Sequence, residues 1–216
     1  MKVTKLSSQV KNPDRINVFI DDKYTFSLDI SQITDLRVKV GQELNQEEVD
    51  QLKKEGEFSK YYLRALNYAL IRPRSEREIR DYLYRQTRTR YYLVKGERRE
   101  RIGMTPALTE RIIDKLVEKG YLDDEVFARY WNENRNLKKG ISQKVMRLEL
   151  IKKGVSSHII DSVLEGSERN DREELKKVII KTQKRYSDHN KFIKYLISKG
   201  YSYDLIQELL AESDDD

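Results

Sequence analysis

Residues 146–164 read MRLELIKKGVSSHIIDSVL, and residues 192–210 read FIKYLISKGYSYDLIQELL. Shifted by 46 residues, Met146 falls on Phe192, Leu150 on Leu196, Gly154 on Gly200, Ile159 on Leu205, Ile160 on Ile206 and Leu164 on Leu210. Each stretch reads as a helix that stops at Lys-Gly, a turn containing Ser, and a shorter amphipathic helix. A looser copy lies upstream. Ile79 and Leu83 match Met146 and Leu150, and Ile112, Ile113 and Val117 match Ile159, Ile160 and Leu164. Longer helices over 58–71, 124–138 and 171–186 precede the three pairs. The pattern predicts a mainly α protein of tandem three-helix repeats, in which each unit buries its apolar stripe against the next.

Such stacking builds an elongated, curved body. The expected boundaries are 58–121, 122–168 and 169–216, with an acidic tip at Asp214–Asp216. Residues 1–57 differ. In RINVFIDDKYTFSLDI, Ile16, Val18 and Ile20 alternate, Asp21-Asp22-Lys23 makes a turn, and Tyr24, Phe26 and Leu28 answer on the return strand. Val3–Val10 and Leu36–Val40 read as weaker strands. Asn45 caps a short helix, EEVDQLKKE, with Glu48 completing a capping box. This is a small β-rich module closed by a helix.

The composition matches thin helical layers with much charged surface. Of 216 residues, 38% are hydrophobic and 37% charged, and only 3 Pro and 9 Gly interrupt the helices. Net charge is +6, which favours anionic partners, nucleic acid first among them. Cys is absent, which excludes disulfides, thiolate zinc sites and cysteine nucleophiles. No apolar run approaches the roughly 20 residues of a membrane span, and the N-terminus lacks the apolar core of a secretory signal. The expectation is a cytoplasmic, monomeric protein without a cofactor.

Asp123-Asp124 in GYLDDEVFARYW (120–131) invites a metal or proton-sharing reading. A structural reading accounts for every residue. Asp123 is an N-cap, Asp124 and Glu125 fill the first turn, and Leu122 and Phe127 form a hydrophobic staple. Lys138 and Lys139 then complement the far end of that helix, and Gly140 stops it. The chain has no GxxxxGK[ST], no GxSxG and no metal-ligand spacing. His158 aligns with Asp204, and His189 sits at a helix start, so neither reads as a base. Most of the 14 Tyr, among them Tyr61, Tyr82, Tyr130 and Tyr195, fall at helix-packing positions. No active site is expected.

The basic excess is local. From Arg72 to Arg101, eleven basic residues face five acidic ones: Arg72, Arg74, Arg77, Arg80, Arg85, Arg88, Arg90, Lys95, Arg98, Arg99 and Arg101 against Glu76, Glu78, Asp81, Glu97 and Glu100. The segment thus holds as much net charge as the chain. Its second half interrupts the first repeat near 87–105. Tyr91–Val94 and Arg98–Ile102, around Lys95-Gly96, read as a projecting β-hairpin. Arg interleaved with Tyr91 and Tyr92 suits phosphate pairing and stacking on unpaired bases. A second set is Arg135, Lys138, Lys139, Lys144, Arg147, Lys152 and Lys153. Lys176, Lys177, Lys181, Lys184 and Arg185 repeat the theme.

GYLDDEVFARYW, the following Arg135-to-Gly140 spacing, the LIKKGVS turn and RSEREIRDYL at 74–83 together resemble the RecX family, regulators of the RecA recombinase. The structural positions of that motif are Gly120, Leu122, Asp123, Asp124, Phe127, Ala128, Gly140 and Gly154. DRINVFIDDKYTFSLDI resembles the β-rich N-terminal extension of one branch. The resemblance covers nearly the whole chain. It implies three three-helix repeats that lie in the groove of the RecA–single-stranded DNA filament and depress ATP hydrolysis, strand exchange and filament extension. The protein would then be a DNA-repair regulator and not an enzyme. The insertion near 87–105 departs from the family pattern. The alternative reading is a free-standing nucleic-acid-binding repeat protein.

Overall fold

The computed structural model describes residues 1–10, 12–94 and 96–214. The protein is mainly helical, with a small N-terminal antiparallel sheet. Contacts gather the chain into two units. One holds Met1–Arg72 with Ile79–Tyr121, and the other holds Pro73–Glu78 with the chain from Leu122 onward.

In the first unit, β1 (Val3–Gln9), β2 (Asn12–Ile20) and β3 (Lys23–Asp29) pair in sequence order. Asp21 and Asp22 both take positive φ, 47° and 63°, as a two-residue turn between right-twisted strands demands. Val3, Val18, Ile20, Phe26 and Leu28 form the inner face and pack with Val38, Leu44, Val49 and Leu52. Tyr24 does not join them. A bulge after Val18 pairs Phe19 with Tyr24, and the two rings meet edge-on at 6.0 Å on the outer face.

The sheet is followed by α1 (Ile30–Asp35), a helix that the sequence reading missed. Asp29 and Gln32 make its capping box. Leu36–Val40 is not a strand; it runs irregularly, and only Val38 enters the core. In α2 (Gln46–Leu70), the Asn45 side chain accepts the Glu48 N–H at 2.9 Å, and Glu48 returns the bond to the Asn45 N–H at 2.7 Å. The helix runs unbroken through 57, so the two helices expected on either side are one. Gly56 lets it approach β3 closely, since a Cβ there would lie 2.3 Å from the Ser27 carbonyl. Buried Arg15 seals this seam by donating to the carbonyls of Ser27 and Gly56 and to the Ser59 hydroxyl, beside Asp29. Next come α3 (Glu76–Thr87), the hairpin β4 (Arg90–Val94) and β5 (Glu97–Arg101), and α4 (Pro106–Glu118). Ile79, Leu83, Ile112, Ile113 and Leu116 are buried, whereas Val117 is half exposed. The buried stripe therefore uses Leu116, one residue before the position expected.

The second unit holds two helical cores. Helices α5 (Asp124–Asn134), α6 (Gln143–Lys152) and α7 (Ser157–Glu165) close around Phe127, Ala128, Met146, Leu150, Ile160 and Leu164. Helices α8 (Asp171–Thr182), α9 (His189–Ser198) and α10 (Tyr203–Asp214) close around Leu175, Ile179, Phe192, Leu196, Ile206 and Leu210. A 3-10 turn, Gln183–Arg185, follows α8. Helix α5 ends at Asn134, short of Lys138 and Lys139. Asn136, at φ 51°, starts a loop that these lysines occupy, so they do not cap the helix.

One joint occurs twice in this unit. The buried Ser75 hydroxyl accepts the Glu78 N–H and donates to the Lys153 carbonyl at 2.7 Å. Ser142 does the same with the Val145 N–H and the Lys199 carbonyl, also at 2.7 Å. The backbone N–H just after each serine donates to an aspartate that opens a neighbouring helix: Glu76 to Asp124 at 2.8 Å, and Gln143 to Asp171 at 2.7 Å. Each serine thus caps one helix end and ties off the carbonyl end of another. The Lys-Gly turns are the receiving half. Gly154 and Gly200 adopt φ of 87° and 91°, which end the helix and leave the preceding carbonyl facing the serine.

Candidate nucleic-acid interface

The hairpin is the most basic exposed element of the first unit. Its register places Arg90 opposite Arg101 and Tyr92 opposite Arg99 on one face, with Tyr91 opposite Glu100 and Leu93 opposite Arg98 on the other. Two arginines directly across a strand pair repel one another, an arrangement that an anion relieves. Arg98 lies over the Tyr91 ring at 4.1 Å, and Arg88 over Tyr84 at 5.4 Å. Tyr91 and Tyr92 remain about half exposed. At the base, Arg88, Arg90 and Arg101 border a small recess with Tyr61. Lys60 carries its ammonium beside that ring, and burial, with Arg101 and Arg64 nearby, pushes its pKa down. Arg99 pairs weakly with Glu97 at 3.7 Å. Lys95 lies outside the described residues, as do Asp215 and Asp216 of the acidic tip. Arg72 is partly buried between α2 and α3.

The second unit sorts the remaining basic candidates into two kinds. Arg74, Glu78 and Lys153 form an ion cluster, with Lys153 2.6 Å from Glu78 and Arg74 3.9 Å from it. Arg135 grips Glu149 with two bonds of 2.8 and 2.9 Å, and that pairing holds the Glu149 carboxyl below its usual range. Both Arg135 and Lys153 lie over the Trp131 ring. Arg147 pairs with Asp161 at 2.5 Å. The aliphatic stem of Arg77 backs Gly154. These five basic residues, Arg74, Arg77, Arg135, Arg147 and Lys153, are engaged in the architecture. Lys138, Lys139, Lys144 and Lys152 are exposed and, among the described residues, have no ion-pair partner.

Asp123 and Asp124 do separate structural work. Asp123 accepts the N–H groups of Glu125 and Val126 at 2.8 and 3.1 Å, as an N-cap should. Leu122 and Phe127 are both buried beside it. Asp124 turns to the Glu76 N–H, a partner 48 residues away that the sequence reading did not supply; burial pushes its pKa up, against that hydrogen bond. Among the described residues, no group of three or more His, Asp or Glu gathers as a metal site. No described helix is long and apolar enough to cross a membrane. Replacing Asp123 by Ala is expected to cost about 1 kcal/mol of stability. Asp124→Ala strands the partly buried Glu76 N–H and is expected to cost about 1–2 kcal/mol. Denaturant titration of each variant measures these losses; a divalent-metal-dependent turnover abolished by Asp124→Asn would overturn the structural assignment.

Residues 1–45 match the regulatory protein RecX N-terminal domain. A regulatory protein RecX of Listeria welshimeri is 32% identical over 209 residues, spanning 96% of this chain and 71% of that protein. The regulatory protein RecX of Bacillus subtilis is 29% identical over 227 residues, spanning 99% and 79%. A crystal structure of regulatory protein RecX superposes with a TM-score of 0.69 at 24% identity, covering 95% of this chain and 97% of that one. RecX from Lactobacillus salivarius gives 0.56 at 25% identity, covering 74% and 97%. These relatives are named as regulators, not enzymes. With relatives matched over 96% and 99% of its length, one of them at 32% identity, the chain belongs to the RecX family of regulatory proteins.

Proposed function

We propose that this protein acts as a monomer in the cytoplasm, binds a RecA–single-stranded DNA filament in its groove, and inhibits the recombinase's ATP hydrolysis, strand exchange and filament extension. The observation that carries the proposal is the match to regulatory RecX proteins over 96% of the chain. The proposed division is a β-rich module over 1–57 and repeats over 58–121, 122–168 and 169–216. Several weak contacts on one body add through effective concentration, so a clamp of this kind needs no single strong site. The hairpin arginines and tyrosines are the proposed nucleic-acid contacts, with Arg72, Lys138, Lys144 and Lys152 as further candidates.

The test is DNA-dependent ATP hydrolysis by the cognate recombinase on preformed filaments, with this protein titrated in. Inhibition is expected well below one molecule per recombinase protomer, at concentrations that leave naked DNA unbound. Inhibition that begins only once naked DNA is coated favours the second reading, a free-standing nucleic-acid binder, to which the exposed Arg-Tyr hairpin also lends itself. Replacing Arg88, Arg90, Arg98 and Arg99 by Ser is expected to leave folding intact. If all four contact phosphates, the slope of log affinity against log salt on single-stranded DNA falls by about 3. An unchanged slope returns the hairpin to a solvated loop.

A further inference from the structure

The second unit contains a cleft of about 610 Å³ between the α5–α6 loop and the ends of α8 and α9. Four cations from four separate segments line it: Lys139 from the loop, Lys181 from the last turn of α8, Arg185 from the 3-10 turn, and Lys199 from the end of α9. Among the described residues Lys139, Lys181 and Arg185 have no ion-pair partner, and Lys199 lies over the Tyr195 ring at 5.2 Å. The cleft's one carboxylate, Glu149, is already spent on Arg135 and the Trp131 indole.

The walls are built rather than incidental. Buried Glu174 accepts the Ile141 N–H and two bonds from Arg169. Arg169 in turn donates to the carbonyls of Asn132 and Arg135. The loop that carries Lys139 is therefore fastened at both ends. Tyr201 also lines the cleft. Its hydroxyl is the only buried side-chain N or O atom without a hydrogen-bond partner among the described residues. Burial, with Asp171 and Glu174 nearby, pushes its pKa up, which keeps it a neutral donor. Cations converging from four segments beside a neutral hydroxyl donor are the chemistry that recognises an anion.

We propose that this cleft binds the phosphodiester backbone of a DNA single strand, at a site separate from the hairpin. The inference deepens the regulatory reading above and rests on it for the choice of strand. A backbone is favoured over a base because the one partly open ring, Tyr195, is covered by Lys199 and packed against Tyr186 and Phe192. No free aromatic face remains to stack on.

The experiment measures binding of a labelled oligodeoxythymidine across a salt series, without recombinase, in the protein whose four hairpin arginines are serine. Lys181→Ser with Arg185→Ser is expected to weaken binding at least tenfold and to lower the salt slope by about 1.4. Lys184→Ser, one residue outside the cleft lining, is expected to change neither. Tyr201→Phe is expected to weaken binding about threefold with no fall in the thermal midpoint, which a packing role alone would not produce. Unchanged oligonucleotide binding by the double variant overturns the proposal. So does displacement of the oligonucleotide by polyglutamate as effectively as by unlabelled DNA, which would make the occupant an acidic protein segment. Recombinase inhibition by the same variants is read separately. Unchanged oligonucleotide binding by the double variant, with recombinase inhibition by the parent protein observed, sinks this inference alone; tenfold weaker binding, with no inhibition by the parent protein, sinks only the regulatory reading.

Discussion

Gly140→Ala is expected to be the most damaging single-methyl change in the second unit. Gly140 sits at φ 76°, where an L-residue is strained, and its ideal Cβ would lie 2.3 Å from the Glu174 carbonyl oxygen and 2.8 Å from Val178. The nearest obstacle is helix backbone, which cannot rotate away as a side-chain tip can. Left-handed strain alone costs about 1–2 kcal/mol, and overpacking adds about 1–3 kcal/mol. A loss of about 4 kcal/mol corresponds to a drop in thermal midpoint on the order of 15–30 °C for a unit of this size. Gly120→Ala is the control. Its φ is 70°, but nothing lies within 4 Å of the new methyl, so only the strain remains. Thermal unfolding of the two variants should separate widely. Equal losses would mean that the loop swings clear of α8 without cost.

That glycine shows where local sequence reading stops. The Arg135-to-Gly140 spacing was visible, and so was a helix ending nearby. Gly140 was read as the stop itself, whereas α5 ends at Asn134 and the glycine is needed for a close approach to a helix more than thirty residues on. Elements set by short-range rules were legible. The Asp21-Asp22 turn, the Asn45 box, the Asp123 cap and the hairpin around residues 95–96 each follow from a few adjacent side chains. Tyr24 failed because one bulge shifts every later residue to the opposite face. Helix α1 failed because six residues with one capping box leave almost no periodicity to detect.

For the site, charge was legible and its state was not. A run of arginines reads alike whether exposed or paired, yet Arg74, Arg135 and Lys153 are held by Glu78 and Glu149 from 4 to 75 positions away. Lys199 stood at the aligned Lys-Gly turn, but nothing in the sequence joined it to Lys139 or Tyr201. The recurrent serine joint was half visible. The glycines aligned at 46 residues, whereas Ser75 and Ser142 are 67 apart because the hairpin intervenes, and a fixed-period comparison misses them.

Glu174→Gln is expected to test the hub of the second unit by charge rather than by volume. Glu174 is 3% exposed and receives Arg169, Lys177 and the Ile141 N–H. Burial alone would push its pKa up. The hydrogen bonds from Arg169 and Lys177, with the charge of Arg169, outweigh that and hold it below the ordinary range. Gln keeps the shape and one acceptor but leaves the Arg169 guanidinium without its counter-charge. Breaking a buried pair in this way costs about 3 kcal/mol, or roughly 12–24 °C in thermal midpoint. The pH dependence follows from the sign of the shift. A carboxylate lowered by folding stabilises the protein fully above its unfolded value of about 4.3, and that stabilisation disappears as pH falls through the folded value. The midpoint gap between wild type and Glu174→Gln should therefore stay constant from neutral pH down to about pH 5 and narrow below about pH 4.3. Asp171 is pushed up by burial and, least of its causes, by the charge of Glu174; the burial part is common to both proteins, and the Glu174 part only partly offsets the narrowing. A gap that is small at neutral pH, or that does not narrow in acid, would show that Arg169 is held by the Asn132 and Arg135 carbonyls alone, and that the loop behind Lys139 owes nothing to the charge of Glu174.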